Sequence, residues 1–313
     1  MAVIFRANLQ DNAASTTVVA AVGSNGTLTG GKNTSALAAT GPGGLFLSAL
    51  DMQKSGDGDY VLLASGINLT DTWTIAWWGE VQDATQYNCL CGTNADHSDR
   101  LQLDPSVTNK LEVFQNFSTI GLGTGAISYS AGFHHWAVVC NNNALELYQD
   151  GSAIAGTATK ASGTFTVTQI GRHPNSPGQS WDGRVCGFVI DNTALDSTGV
   201  NALRNEAKPQ FTVTPAIAGD AEVGQTLTVS YAATDGSATY QWTRDGSNIG
   251  GAAASTYDVT IDDVGAAISC LVTLTNSIGS SSQAAPDVGP VPSPSTGRAR
   301  CGSLCIQLPV LGF

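Results

Sequence analysis

The chain has 313 residues, 36 of them glycine, and only 12 % are charged. Its 25 acidic and 13 basic side chains leave a net charge of −12, which excludes nucleic acid as a partner, because phosphate neutralisation needs clustered Lys and Arg. No apolar run approaches the roughly 18 residues of a spanning helix, so no membrane insertion is expected.

Taken in chain order, the opening MAVIFRANLQDN has no basic region followed by an apolar stretch and a cleavage site. It reads as the start of a strand and predicts a chain without a signal peptide. Short strands separated by Gly, Asn, Asp and Ser turns then follow one another. They are predicted at YVLLASG from Tyr60, WTIAWWGEV from Trp73, KLEVFQN from Lys110, HHWAVVC from His134, ALELYQDGSAI from Ala144 and GRVCGFVI from Gly183. Asp150-Gly151 is the turn of a hairpin, since Asp-Gly suits the positive φ of a two-residue connection. One helix is predicted over 196–207, capped by Asp196 or Ser197, with Val200, Leu203 and Ala207 on one face.

At Lys208-Pro209 the pattern restarts, because proline disfavours helix at the residue before it. Residues 1–207 therefore form one unit and 208–290 a second, strand-rich one. Residues 291–313 begin as a Pro/Ser-rich linker, which is extended, and end in the apolar LCIQLPVLGF. An apolar peptide on a linker is rarely left in water. Cys301, Cys305, Ile306, Leu308, Val310, Leu311 and Phe313 are its docking residues, toward a sister subunit or another protein of the same particle.

The seven cysteines are odd in number and suggest no disulfide scaffold. Cys140 and Cys186 fall in apolar strands as reduced core residues. Cys89 and Cys91 share a face if their strand is regular. Cys301 and Cys305 form a local pair that could oxidise. His134 and His135 precede Trp136 on a strand and face opposite ways, while His97 and His173 are in loops. No His or Cys spacing suits zinc. Trp77 and Trp78 send one ring to each face of their strand. One ring is core, and the other is either a sugar-stacking platform or packed under a loop or against the second unit.

The order of motifs in the first unit resembles a laminin-G-like, concanavalin-type jelly roll. FRANLQDN resembles the opening strand, GPGGLFLSALDMQKSGDGDYVLL the glycine-then-strand segment, and DTWTIAWWGEV the aromatic strand after it. FHHWAVVCNNNALELYQDGSAIAG resembles the His-Trp strand and Leu-Tyr-x-Asp-Gly hairpin. The segment from TQIGRHPNSPGQSWDGRVCGFVI to the helix resembles the closing section. The second unit resembles the immunoglobulin-like repeats of bacterial and phage surface proteins, with Tyr-Gln-Trp, Asp-Val-Gly and Cys-x-Val-Thr-x-x-Asn elements. There Trp242 is expected in the core with Cys270 beside it on the facing strand. LTVSYAAT carries no cysteine and Ile268 replaces the corner tyrosine, so packing alone must hold this unit. The expected fold is all-β: jelly roll, immunoglobulin-like sandwich and an extended tail.

The resemblance implies a binding or display role. Laminin-G-like domains hold calcium with loop oxygens, for which Asp57, Asp59, Asp96 and Asp99 are the candidates; the same clusters are ordinary turn formers. No other cofactor is implied. Glycan hydrolases of the concanavalin type carry alternate carboxylates on one strand. Glu80, Glu112 and Glu146 stand on separate strands, so hydrolysis is the weakest reading and no catalytic residue is expected. Extracellular-type domains without a leader resemble phage virion surface proteins, such as capsid decoration or tail-fibre components. These are made in the host cytoplasm, homo-oligomeric, and able to meet host surface polysaccharide. A glycan-binding adhesin at a cell surface is the alternative.

Overall fold

The computed structural model describes residues 3–11, 15–29, 34–52, 59–82, 85–93, 99–104, 110–116, 118–123, 127–128, 132–173 and 176–294. Two compact units divide the chain. The first takes in 1–213 with 232–238 and 273–282, and the second 214–231, 239–272 and 283–313.

The first strands are β1 (Val3–Ala7), β2 (Thr17–Val18), β3 (Ala20–Val22) and β4 (Gly26–Thr29). A short helix α1 (Thr34–Leu37) leads to β5 (Ala38–Gly43), β6 (Phe46–Met52), β7 (Tyr60–Leu69) and β8 (Trp73–Gly79). Next come β9 (Asn88–Gly92), β10 (Asp99–Asp104), β11 (Lys110–Gln115), β12 (Ser118–Leu122) and β13 (His134–Asn141). β14 (Ala144–Gln149), β15 (Ser152–Thr159), β16 (Phe165–Ile170) and β17 (Gly183–Asp191) precede the helix α2 (Ser197–Asn205). Strands expected from Tyr60, Trp73, Lys110, His134, Ala144 and Gly183 all begin at those residues. Asp150 and Gly151 take φ of 52° and 81°, the left-handed pair that closes the β14–β15 hairpin.

These strands form an antiparallel sandwich. One sheet runs β15-β14-β13-β8-β17-β1-β3 with β6 and β5 attached through β17, and the other runs β12-β11-β10-β9-β16-β7-β4-β2. Between them lies a core of side chains at alternate positions, among them Trp73, Ile75 and Trp77 of β8 and Leu101, Leu103, Leu111 and Val113 of β10 and β11. Trp73 stacks on Phe165 at 5.6 Å between ring centroids, joining the two sheets, and Trp77 stacks on Trp136 at 6.1 Å.

The middle of the outer face of the nine-stranded sheet is also covered. Asp196 caps α2 by accepting the Gly199 N–H at 2.9 Å, which orients Val200 and Leu203 onto Ala76, Ala137, Val139, Tyr148 and Val189. All seven residues of β8 are consequently buried.

One local expectation fails. Leu101 pairs with Cys91 but Gln102 pairs with Cys89, so Leu90 is an extra, bulged residue. A bulge resets the alternation. Cys91 thus points into the core with Leu101, whereas Cys89 takes the opposite face with Gln102. Cys89, Cys91, Cys140, Cys186 and Cys270 are buried, free thiols.

After α2, β18 (Phe211–Ala218), β19 (Thr226–Ala233) and β22 (Thr256–Asp258) form a three-stranded sheet. β21 (Ser247–Asn248), β20 (Ser237–Arg244), β23 (Ile268–Asn276) and β24 (Gly279–Ala284) form a four-stranded one in that order. Trp242 is fully buried, stacks on Tyr257 at 5.5 Å, and donates its indole N–H to the Ala254 carbonyl. Cys270 is buried too, but β23 lies beside β20 in one sheet, so it neighbours Trp242 laterally rather than across the sandwich. Asp263, within the Asp-Val-Gly element, is the polar anchor of this unit. Its carboxylate accepts from Tyr257 Oη (2.8 Å), the Thr260 N–H (2.7 Å), Thr260 Oγ1 (3.0 Å) and Arg244 Nε (2.7 Å).

Burial alone would raise the Asp263 carboxyl, but the donors from Thr260, Tyr257 and Arg244 outweigh it and hold it below the usual value. Its contribution is therefore present above the unfolded carboxylate range near 3.9 and is lost as pH falls through the folded value. Asp263→Ala should destabilise the second unit by roughly 2 kcal/mol, from buried donors left unmet. Asp263→Asn should flatten the acid limb of its melting temperature between about pH 4 and 2. Calorimetry across pH checks both, and an unchanged acid limb would show that the anchor lies elsewhere.

Candidate functional site

α2 covers only the middle of the nine-stranded sheet, and the eight-stranded sheet carries a row of polar side chains on its outer face. Along β10 and β11, core residues alternate with Arg100, Gln102 and Asp104 and with Lys110, Glu112 and Phe114, all on the outer side. The register pairs Arg100 with Phe114, Gln102 with Glu112 and Asp104 with Lys110, giving three cross-strand contacts in a ladder.

The ladder is closely hydrogen-bonded. Arg100 lies over the Phe114 ring, its Cζ 3.6 Å from the centroid, and donates through Nε to Gln102 Oε1 at 2.8 Å. Gln102 passes the contact on, donating through Nε2 to Glu112 Oε2 at 2.6 Å. Lys110 Nζ then sits 2.9 Å from Glu112 Oε1 and 3.9 Å from Asp104 Oδ2. Hydrogen bonding to Glu112 holds the Lys110 ammonium above its ordinary value, so it stays charged. Glycine at 121 matters here: a Cβ would meet Lys110 Cδ at 3.0 Å, so the bare backbone lets the lysine stem lie across β12. Gln102, Asp104 and Glu112 are buried at the floor, while Arg100, Lys110 and Phe114 are half-buried and reach the surface.

The row through Arg100 continues across the sheet. Arg100 pairs with Gly92, Gly92 with Gln169, and Gln169 with Leu62. Gln169 Nε2 donates to the Thr93 and Arg172 carbonyls, fixing the turn that carries Arg172, whose Cζ lies 4.6 Å from the Tyr60 centroid.

The residues singled out in the sequence fare unevenly. Trp77 and Trp78 are 0 % and 1 % exposed, so neither offers a stacking platform. Trp77 fills the core, and Trp78 packs on the outer side of β8 against His135 at 5.2 Å between centroids. Asp59 precedes β7 beside Gly171, whereas Asp99 Oδ2 accepts from the Thr166 N–H. Those two places lie at opposite ends of β16, about 15 Å apart at the rise of a strand, so the two carboxylates do not share a cation. No group of three or more His, Cys, Asp or Glu suited to a metal occurs among the described residues. Asp57, Asp96, Cys301, Cys305, Ile306, Leu308, Val310, Leu311 and Phe313 lie outside the described residues. Glu112 is not isolated, because cross-strand pairing, invisible along either strand, brings it to Asp104 and Lys110.

Both oxygens of Glu112 in that carboxylate pair have partners. Lys110 bridges both groups, and Gln102 occupies the other Glu112 oxygen. A general acid needs a free proton-bearing oxygen aimed at a leaving group; here the oxygens are spent on holding one another. Guanidinium, amide, ammonium and carboxylate groups set edge-on beside a ring are the groups that hydrogen-bond hydroxyls. A separate depression of about 400 Å³ beside β14 is lined by Val139, Glu146, Tyr148, Leu195 and Asp196, with Tyr148 donating to Glu146.

Residues 55–201 match the Laminin_G_3 family model, described as the concanavalin A-like lectin/glucanases superfamily. A comparison with curated proteins finds no match. Among solved structures, domain 4 of AbnA, a GH43 extracellular arabinanase from Geobacillus stearothermophilus, in complex with arabinotriose, is similar at 16 % identity and a TM-score of 0.48, covering 64 % of this chain and 98 % of that one. The heptameric SAP-like pentraxin from Limulus polyphemus is similar at 18 % identity and a TM-score of 0.36, over 45 % and 73 % of the two chains. The binding domain of botulinum neurotoxin serotype D/C is similar at 13 % identity and a TM-score of 0.45, over 90 % and 73 %.

Trp78→Ala should act as a core deletion, costing about 3–5 kcal/mol, with thermal melts of the first unit as the readout. His135 beneath it is pushed down to about 3, chiefly by burial, against the pull of Asp150. The unfolded imidazole titrates near 6.5, so stability is full above that pH and is lost as pH falls toward 3. His135→Gln should reduce the loss of melting temperature between pH 7 and 5; an equally steep fall in the variant would place the acid sensitivity elsewhere.

Proposed function

We propose that the protein is a non-enzymatic glycan-binding display protein whose first unit holds carbohydrate on the outer face of the eight-stranded sheet. The observation that carries this reading is the Arg100–Gln102–Glu112–Lys110 chain of hydrogen bonds beside Phe114, at the floor of an otherwise simple sheet face. Folding does not call for it: buried charged networks seldom stabilise more than apolar residues of the same volume. Sugar recognition does call for it, because hydroxyls need fixed planar donors and acceptors beside an apolar ring. The match of residues 55–201 to a family model of the concanavalin A-like lectin/glucanases superfamily supports the same reading.

The setting we propose is the surface of a phage particle, where the jelly roll meets host polysaccharide. The C-terminal segment 291–313 attaches the chain to a sister subunit or to another virion protein. Peptides of this chain in mass spectra of density-purified particles support that setting, and their absence from intact particles overturns it.

For the binding itself, the full chain should retain members of a glycan array and release no reducing sugar from them. Gln102→Ala and Phe114→Ala should each weaken retention by about tenfold, the equivalent of one good polar or ring contact. The Phe114→Ala melting temperature should stay near that of the parent, whereas Gln102→Ala, which strips a donor from buried Glu112, should lower it by a few degrees without unfolding the chain. Unchanged binding in both variants would move the site off this face.

A further inference from the structure

The second unit leaves one side of its sandwich unfinished. β22 ends the three-stranded sheet and β21 ends the four-stranded one, and residues 249–255 connect the two. β19 and β22 pair Thr226 with Asp258, Leu227 with Tyr257 and Thr228 with Thr256. At either end the Val229 N–H donates to the Ser255 carbonyl at 3.0 Å, and the Val259 N–H to the Gln225 carbonyl at 2.9 Å. Bonded residues alternate along an antiparallel pair, so 255, 257 and 259 spend their backbone groups on β19. Those of Thr256 and Asp258 point the other way, toward an edge that no strand among the described residues pairs with. Such an edge is a template for one more strand.

Beside it lies a groove of about 440 Å³, floored by Ile249, Ala252, Ala253 and Ala254. Small residues keep it open, and a Cβ on Gly250 would meet nothing within 4 Å. Asp258 and Asp262 line the same groove, exposed and without a cation partner among the described residues. Ile261, between Thr260 and Asp262, is 62 % exposed. One segment of the chain has the matching pattern. Leu304, Ile306, Leu308 and Val310 alternate with Cys305, Gln307 and Pro309. A strand of that sequence turns four aliphatic side chains to one face, and an edge strand tolerates its proline. Arg298 and Arg300 come just before it, opposite in sign to the two aspartates.

The linker decides which copy the segment reaches. Pro294 shares a depression with Glu222 and Val223, and the next residue, Gly224, donates to the Val259 carbonyl. The tail therefore leaves the fold close to the end of β22. Nine residues, 295–303, separate Pro294 from Leu304. At the rise of an extended Pro-rich linker they span roughly 30 Å, whereas β22 is only about 10 Å long. An extended linker carries the segment past its own groove and on to a neighbour's.

We infer that residues 304–310 of a sister copy add antiparallel to the open edge of β22, with their aliphatic face in the groove. Arg298 and Arg300 then lie at the Asp258 and Asp262 end. This rests on the proposed attachment through the tail, choosing a sister subunit and naming its seat. The test is the solution mass of the full chain, by light scattering over a concentration series in reducing buffer. The parent should assemble. Ile306→Asp combined with Leu308→Asp should weaken assembly about a hundredfold, and so should Ala253→Trp, which fills the groove from an exposed position. Both variants should keep the parent's melting temperature. In a Cys301→Ser chain, Thr256→Cys with oxidised glutathione should give dimers linked from position 256 of one copy to Cys305 of the other. A monomeric parent, or that link formed within one chain, overturns the exchange between copies and leaves attachment to another particle protein standing. Assembly lost in the tail variant but kept with Ala253→Trp seats the tail elsewhere. Assembly unchanged in both, with the tail variant still present in purified particles, overturns the attachment reading as well.

Discussion

The jelly roll depends on strand β8 being buried on both of its faces. A strand normally keeps one face for the core and one for water, yet every residue from Trp73 to Gly79 is covered. Its inner side chains stack against Phe165 and Trp136, while its outer ones lie under α2 or against His135. The aromatic area this removes from water is the largest single source of cohesion in the unit. The Asp196 cap is part of the same device, since it sets the entry of the helix that closes the outer side.

That constraint bears on where the proposed binding face lies. With β8 closed on both sides, the polar row of the jelly roll is assembled on the eight-stranded sheet by its register. Pairing of β10 with β11 turns residues six to fourteen positions apart in sequence into adjacent rungs. The bulge at Leu90 then sets Cys89 on the outer side of that sheet and Cys91 in the core. Rigid strands hold such groups better than loops do, because neighbouring hydrogen bonds limit each side chain to one geometry.

Much of the architecture was legible in the sequence. Period-two alternation located six strands to the residue, Asp150-Gly151 marked the hairpin, and Asp196 with Val200 and Leu203 marked the helix and its buried face. Each of these signals is local, arising from turn chemistry or from neighbours within a few residues. The binding face was not legible, since Arg100, Gln102 and Phe114 look like ordinary strand positions until their partners across β10 and β11 are known. Trp77 and Trp78 misled for a related reason: alternation says that their rings point opposite ways, but not that both sides are covered.

Sequence by itself therefore determined the all-β class, most strand and helix positions and the net charge of −12, because propensity, turn chemistry and charge are properties of short segments or of the whole composition. Only the tertiary structure decided which sheet face is open, that Cys89 and Cys91 part company at a bulge, and that Glu112 meets Lys110 and Asp104. Each of those depends on strand register, which a one-residue slip would reverse. Register is set by side chains far apart in the chain packing on the same core.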